Sequence, residues 1–168
     1  VLEPRLKEVA ARIQPVNHQR AADAARLLGL PLLCLHTPAD NCVAHFLTAL
    51  FEKEEPRTLS DVLDLLHAIP EYDTARREQT GPVLASGSKK TRAGKIFVEM
   101  TGGTEGAKEM YAKLSRAGVS TVVGMHFSKE HADAARAEHL NIVIAGHISS
   151  DNLGMNLLFD ACLGSEVE

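Results

Sequence analysis

The stretch from Lys95 to Cys162, KIFVEMTGGTEGAKEMYAKLSRAGVSTVVGMHFSKEHADAARAEHLNIVIAGHISSDNLGMNLLFDAC, carries the fold in its rhythm. Short apolar runs at Ile96–Met100, Ser120–Met125 and Ile142–Ala145 alternate with longer segments, Glu105–Arg116, Ser128–His139 and Ser150–Cys162, that read as helices. This βαβαβα order predicts an α/β fold. Each parallel return needs a crossover, so the sheet is mainly parallel or mixed, with flanking helices.

Working upstream, Pro82–Ser86 reads as a further strand, antiparallel to Lys95–Thr101 across the flexible basic connector Gly87–Gly94. Residues Glu71–Gly81 are polar and carry no clear pattern. Leu59–Ile69 reads as a helix capped by Thr58 or Ser60. Val43, Phe46, Leu47, Leu50 and Phe51 mark another. The apolar run Leu30–Leu35, between Gly29 and the turn His36-Thr37-Pro38, reads as a buried strand. Before it, Asn17 caps a helix carrying Ala21, Ala24, Ala25 and Leu28, and Leu2, Leu6, Val9, Ala10 and Ile13 share one face of a first helix that Pro15 stops.

At 168 residues and 45 % hydrophobic content the chain can bury a core. A net charge of −4 and 4 % aromatic residues offer neither a basic footprint nor stacking platforms, so nucleic acid is an unexpected partner. No apolar run is long enough for a membrane span, and no signal segment opens the chain. Three cysteines without Cys-x-x-Cys spacing fit a reducing, cytoplasmic setting. The first residue is Val1 rather than Met, which leaves room for residues upstream.

Two stretches stand out for chemistry. Leu35-His36-Thr37-Pro38-Ala39-Asp40 and Gly146-His147-Ile148-Ser149-Ser150-Asp151 each place His-x-x-x-Asp where a predicted strand gives way to a helix, the edge at which open α/β sheets bind ligands. Imidazole and carboxylate together suit a borderline divalent metal. The alternative is that Asp40, Asn41, Ser149, Ser150 or Asp151 only caps a helix. His126, at a third strand end, is a candidate substrate contact or extra ligand, set against a structural role. The segment Gly102-Gly103-Thr104-Glu105 precedes a helix whose free amides suit a phosphate or carboxylate, although it matches neither G-x-G-x-x-G nor the P-loop.

His36-Thr37-Pro38-Ala39-Asp40 resembles the His-Thr-Asn-Leu-Asp segment of the Nif-three-like family, the GTP cyclohydrolase I type two homologues. Ala145-Gly146-His147-Ile148-Ser149-Ser150-Asp151 resembles that family's Ala-Gly-His-x-x-x-Glu, and Gly102–Gly106 falls where it has a Gly-rich turn. The resemblance spans Ala21–Cys162. It implies one Nif-three-like domain with no inserted domain, built of two related α/β lobes at about residues 1–80 and 81–168. It also implies a dinuclear metal centre and ring-shaped homo-hexamers.

Carried over by position, Asp40 and His147 are metal ligands, Asp151 replaces the family glutamate, and His36 is an auxiliary ligand. Asp151 reaches about 1.5 Å less far than a glutamate. The family's upstream His-His-Pro segment has no counterpart in the sequence. The expectation is a metal-dependent hydrolase of a small phosphate-bearing or nucleotide-like substrate, with one or two divalent ions and zinc, iron and manganese not distinguished. A non-catalytic metal-binding scaffold is the alternative, and a plain ligand-binding module the third reading.

Overall fold

A computed structural model describes Pro4, Lys7, Arg20–Gly102 and Glu105–Gly164. The chain divides into two compact units, Val1–Leu35 and His36–Glu168. In the first, helix α1 (Arg20–Leu28) ends at Gly29, whose φ of +66° lets the Leu30 amide turn back to the Ala25 carbonyl. The expected first helix and the Asn17 cap lie outside the described residues, apart from Pro4 and Lys7, which are helical.

The expected buried strand at Leu30–Leu35 is corrected. It forms no ladder, and Leu30, Leu32 and Leu33 are exposed. A short apolar run becomes a strand only where a neighbouring strand takes its backbone groups, and among the described residues no strand pairs with it.

The second unit holds α2 (Thr37–Glu54), α3 (Leu59–His67), α4 (Pro70–Arg77), β1 (Val83–Ser86), β2 (Lys95–Glu99), α5 (Met110–Arg116), β3 (Val119–Gly124), α6 (Lys129–Ala137), β4 (Asn141–Ile144) and α7 (His147–Leu163). The fold is mixed α/β, with one four-stranded sheet in the order β1-β4-β3-β2. Strands β2, β3 and β4 run parallel and β1 is antiparallel. Alternation along the strands separates two layers of helices. Val98, Val123 and Val143 turn to a core built with α2, α3, α4 and α7. Phe97, Val122 and Ile142 turn to a second core built with α5 and α6.

Four local expectations change. β1 pairs with β4 and not with β2. The basic connector between them is pinned rather than free: the amides of Leu59, Ser60 and Ala93 bond to the carbonyls of Thr91, Lys89 and Arg57, which leads the chain across the start of α3 to the far edge of the sheet. The polar stretch after Ile69 is helix α4, begun by Pro70 and anchored by buried Tyr72 and Ala75. Finally, α5 starts at Met110, so the Gly-rich segment does not run directly into a helix. Thr58 does cap α3, through a full capping box with Asp61.

Candidate functional site

Because β2, β3 and β4 are parallel, their C-terminal ends share one edge of the sheet. Beyond that edge the ladder continues, with the Ala145 amide bonded to the Gly124 carbonyl at 2.8 Å and Gly146 to Met125 at 3.2 Å. This brings His126 beside His147, their ring centroids 4.9 Å apart. Gly146, at φ +105°, occupies backbone space that L residues rarely adopt, and this sharp turn makes His147 the first residue of α7. The hydroxyls of Ser149 and Ser150 donate back to the Gly146 carbonyl. Ser150 also shares a buried 2.8 Å hydrogen bond with Tyr72, which ties the start of α7 to α4. Burial, with the charges of Glu71 and Asp151 adding to it, pushes the Tyr72 phenol up to about 12 despite the Ser150 bond.

Helix α2 supplies the other half. His36 is its N-cap residue and Asp40 lies in its first turn, one helical turn on, with His36 Nδ1 3.4 Å from Asp40 Oδ2. The helix comes close to α7 where Gly154 faces Ala39: a Cβ at Gly154 would stand 2.4 Å from the Ala39 carbonyl oxygen. Asp40 is buried and accepts a 3.1 Å hydrogen bond from the Gly102 amide. Gly102 in turn lies beside both imidazoles. A Cβ there would be 3.0 Å from His36 Nε2 and 3.2 Å from His147 Nε2, so those nitrogens are no more than about 6 Å apart. His147 Nε2 is also 3.7 Å from Asp151 Oδ2.

His36, Asp40, His126, His147, Asp151 and Gly102 therefore meet at one edge. Gly103 and Thr104 lie outside the described residues. Neither α2 nor α7 has a side-chain cap, so Asp40 and Asp151 do not serve as capping residues. The donors suit a divalent metal in type, but each unit brings one imidazole and one carboxylate, and among the described residues no group of three or more is disposed to hold an ion. A cavity of about 380 Å³ opens beside His36 and Asp40, walled by Thr37, Phe97, Glu99 and Met110.

Sequence reasoning missed Gly154, Tyr72 and Glu105. The carboxylate of Glu105 accepts a 2.6 Å hydrogen bond from the Ser128 amide and lies 3.6 Å from His131 Nε2. Burial works against its charge, but the hydrogen bonds from Ser128 and the positions of His131 and His126 hold its pKa below the usual range.

No family model matches the sequence, and no curated protein matches it. Among solved structures, the chain is similar to a NIF3 superfamily protein from Sphaerobacter thermophilus, with 28% sequence identity and a TM-score of 0.74. The likeness supports assignment at the family level. It covers 99% of this chain and 62% of the NIF3 superfamily protein, so the chain spans under two thirds of that relative's length.

Proposed function

We propose that the chain is a divalent-metal-binding protein of the NIF3 type, with Asp40, His147 and Asp151 as ligands and His36 as an auxiliary one. The observation that carries this reading is the convergence of His36 and His147 on Gly102, each with its own carboxylate one helical turn away. His147 and Asp151 are each nearly half exposed, which leaves their lone pairs open to an ion.

The activity we propose for such a centre is hydrolysis of a small phosphate-bearing or nucleotide-like substrate, since a bound divalent ion acidifies its water. The cavity beside Asp40 carries Glu99 and, among the described residues, no lysine or arginine. An anionic substrate would be repelled there without a cation. His126 and the Gly102–Thr104 segment are the proposed substrate contacts.

A second reading is a metal-binding scaffold without turnover. Exposed apolar residues on α7, namely Ile148, Phe159 and Leu163, favour it, because such residues suit an interface between copies. The two-lobe arrangement and the homo-hexamer are part of this family-based proposal, as is a cytoplasmic location. No helix among the described residues is long and apolar enough to cross a membrane.

Metal analysis and calorimetric titration of the full chain with zinc, manganese and ferrous ions test the binding. The expected result is uptake that Asp40→Ala and His147→Ala each abolish; uptake unchanged in both variants would overturn the assignment. A hydrolysis screen on the metal-loaded chain separates enzyme from scaffold.

A further inference from the structure

Glu105 belongs to no element and is not among the proposed ligands, yet its side chain is only 18% exposed. One carboxylate oxygen takes the Ser128 amide at 2.6 Å, and the other faces His131 Nε2 at 3.6 Å. His131 is itself fixed. It is buried on α6, its Nδ1 lies 3.1 Å from the Tyr111 hydroxyl, and the two rings meet edge to face. Ser128 is the N-cap of α6, and its hydroxyl accepts from the His131 amide. The carboxylate therefore grips a turn whose other end is rooted in the second core.

That turn carries His126, two residues before Ser128, and the His126 ring lies on His147. On its other side Glu105 stands three residues along the chain from Gly102, whose amide holds Asp40. Its contacts thus lie with the turn that carries His126, and it touches no proposed ligand. We propose that Glu105 is a positioning residue, whose carboxylate holds the His126–Ser128 turn and so sets the His126 ring against His147. The consequence for metal affinity rests on the reading of the site given above; the consequence for ring geometry does not.

The test uses the full chain and the imidazole NMR resonances of His126 and His147, assigned with His126→Gln and His147→Gln. Glu105→Ala removes the acceptor, and both rings shift. Glu105→Gln keeps an oxygen for the Ser128 amide, so both rings return toward their wild-type positions. Tyr111→Phe leaves the Glu105–Ser128 bond in place, so both rings stay where they are. Unshifted rings in folded Glu105→Ala, or equal shifts in Tyr111→Phe, would overturn the assignment.

Should Glu105→Ala fail to fold, Ser128→Pro deletes the same amide at a residue whose φ of −65° proline adopts, with Ser128→Ala as control for the lost hydroxyl. Ring shifts in Ser128→Pro beyond those in Ser128→Ala support the proposal, and their absence overturns it. Zinc titration adds the functional arm. Affinity falls by up to about 10-fold in Glu105→Ala, the low end of the loss seen when a ligand's direct support is removed, because Glu105 reaches His147 only through the His126 ring, and it recovers in Glu105→Gln. A wild-type chain that binds no zinc defeats the metal reading and leaves the ring shifts to decide the role of Glu105.

Discussion

The two His-x-x-x-Asp units share a spacing and a place at the start of a long helix, and they differ in what surrounds the carboxylate. The side chain of Asp40 is 10% exposed and holds the Gly102 amide, whereas that of Asp151 is 47% exposed and has His147 as its neighbour at 3.7 Å. The same motif thus does two jobs. The first carboxylate is a structural tie between α2 and the end of β2 as well as a candidate ligand, and the second is free for a ligand alone. The first turn of α2, which bears Asp40, is also where α2 meets α7, at the close approach of Ala39 to Gly154.

The largest expected effect comes from breaking that approach. Gly154→Val places a side chain where a Cβ already meets the Ala39 backbone at 2.4 Å. A loss of about 3 kcal/mol, at the upper end of the usual overpacking range, is expected in urea unfolding. Wild-type stability in this variant would mean that the Gly154–Ala39 contact does not set the distance between α2 and α7.

Next in size, Asp40→Ala leaves the Gly102 amide unsatisfied and is expected to cost about 1–3 kcal/mol. Asp151→Ala at the open site should stay within about 0.5 kcal/mol of wild type. Equal losses in the two variants would erase the contrast in burial.

Beneath the second unit, Tyr72→Phe removes the hydroxyl that braces Ser150 and should cost about 1 kcal/mol. The wild-type chain offers a related reading in alkali. The native Tyr72 phenol ionises near 12 and Tyr111 is pushed up as well, against an ordinary value of about 10. Both pKa values are raised on folding, so their stabilisation is whole below about pH 10 and is lost as pH rises from there through the native values. With only these two tyrosines in the chain, tyrosinate absorbance should stay low at pH 10–11 until the protein unfolds. Early ionisation of a folded chain would show that the brace is open to solvent.

The smallest effect on stability is expected from Asp151→Glu, within about 0.5 kcal/mol. Its extra reach of about 1.5 Å should tighten zinc binding, and weaker binding would show that Asp151 already fits its ligand.

What the sequence determined by itself was local. Apolar period and turn residues announced β2, β3 and β4 with the helices between them, and hence the edge at which His126 and His147 end up, because periodicity is written in neighbouring residues. Partnership is not. Leu30–Leu35 has the composition of a strand but joins no ladder among the described residues, β1 finds β4 rather than the nearer β2, and the polar α4 depends on burying Tyr72 and Ala75. The meeting of His36 with His147 depends on residues more than a hundred positions apart, on a glycine that lets two helices touch and on a second glycine beside both imidazoles. Only tertiary packing decides such contacts, since the energy that selects them comes from surfaces that are adjacent in space and distant along the chain.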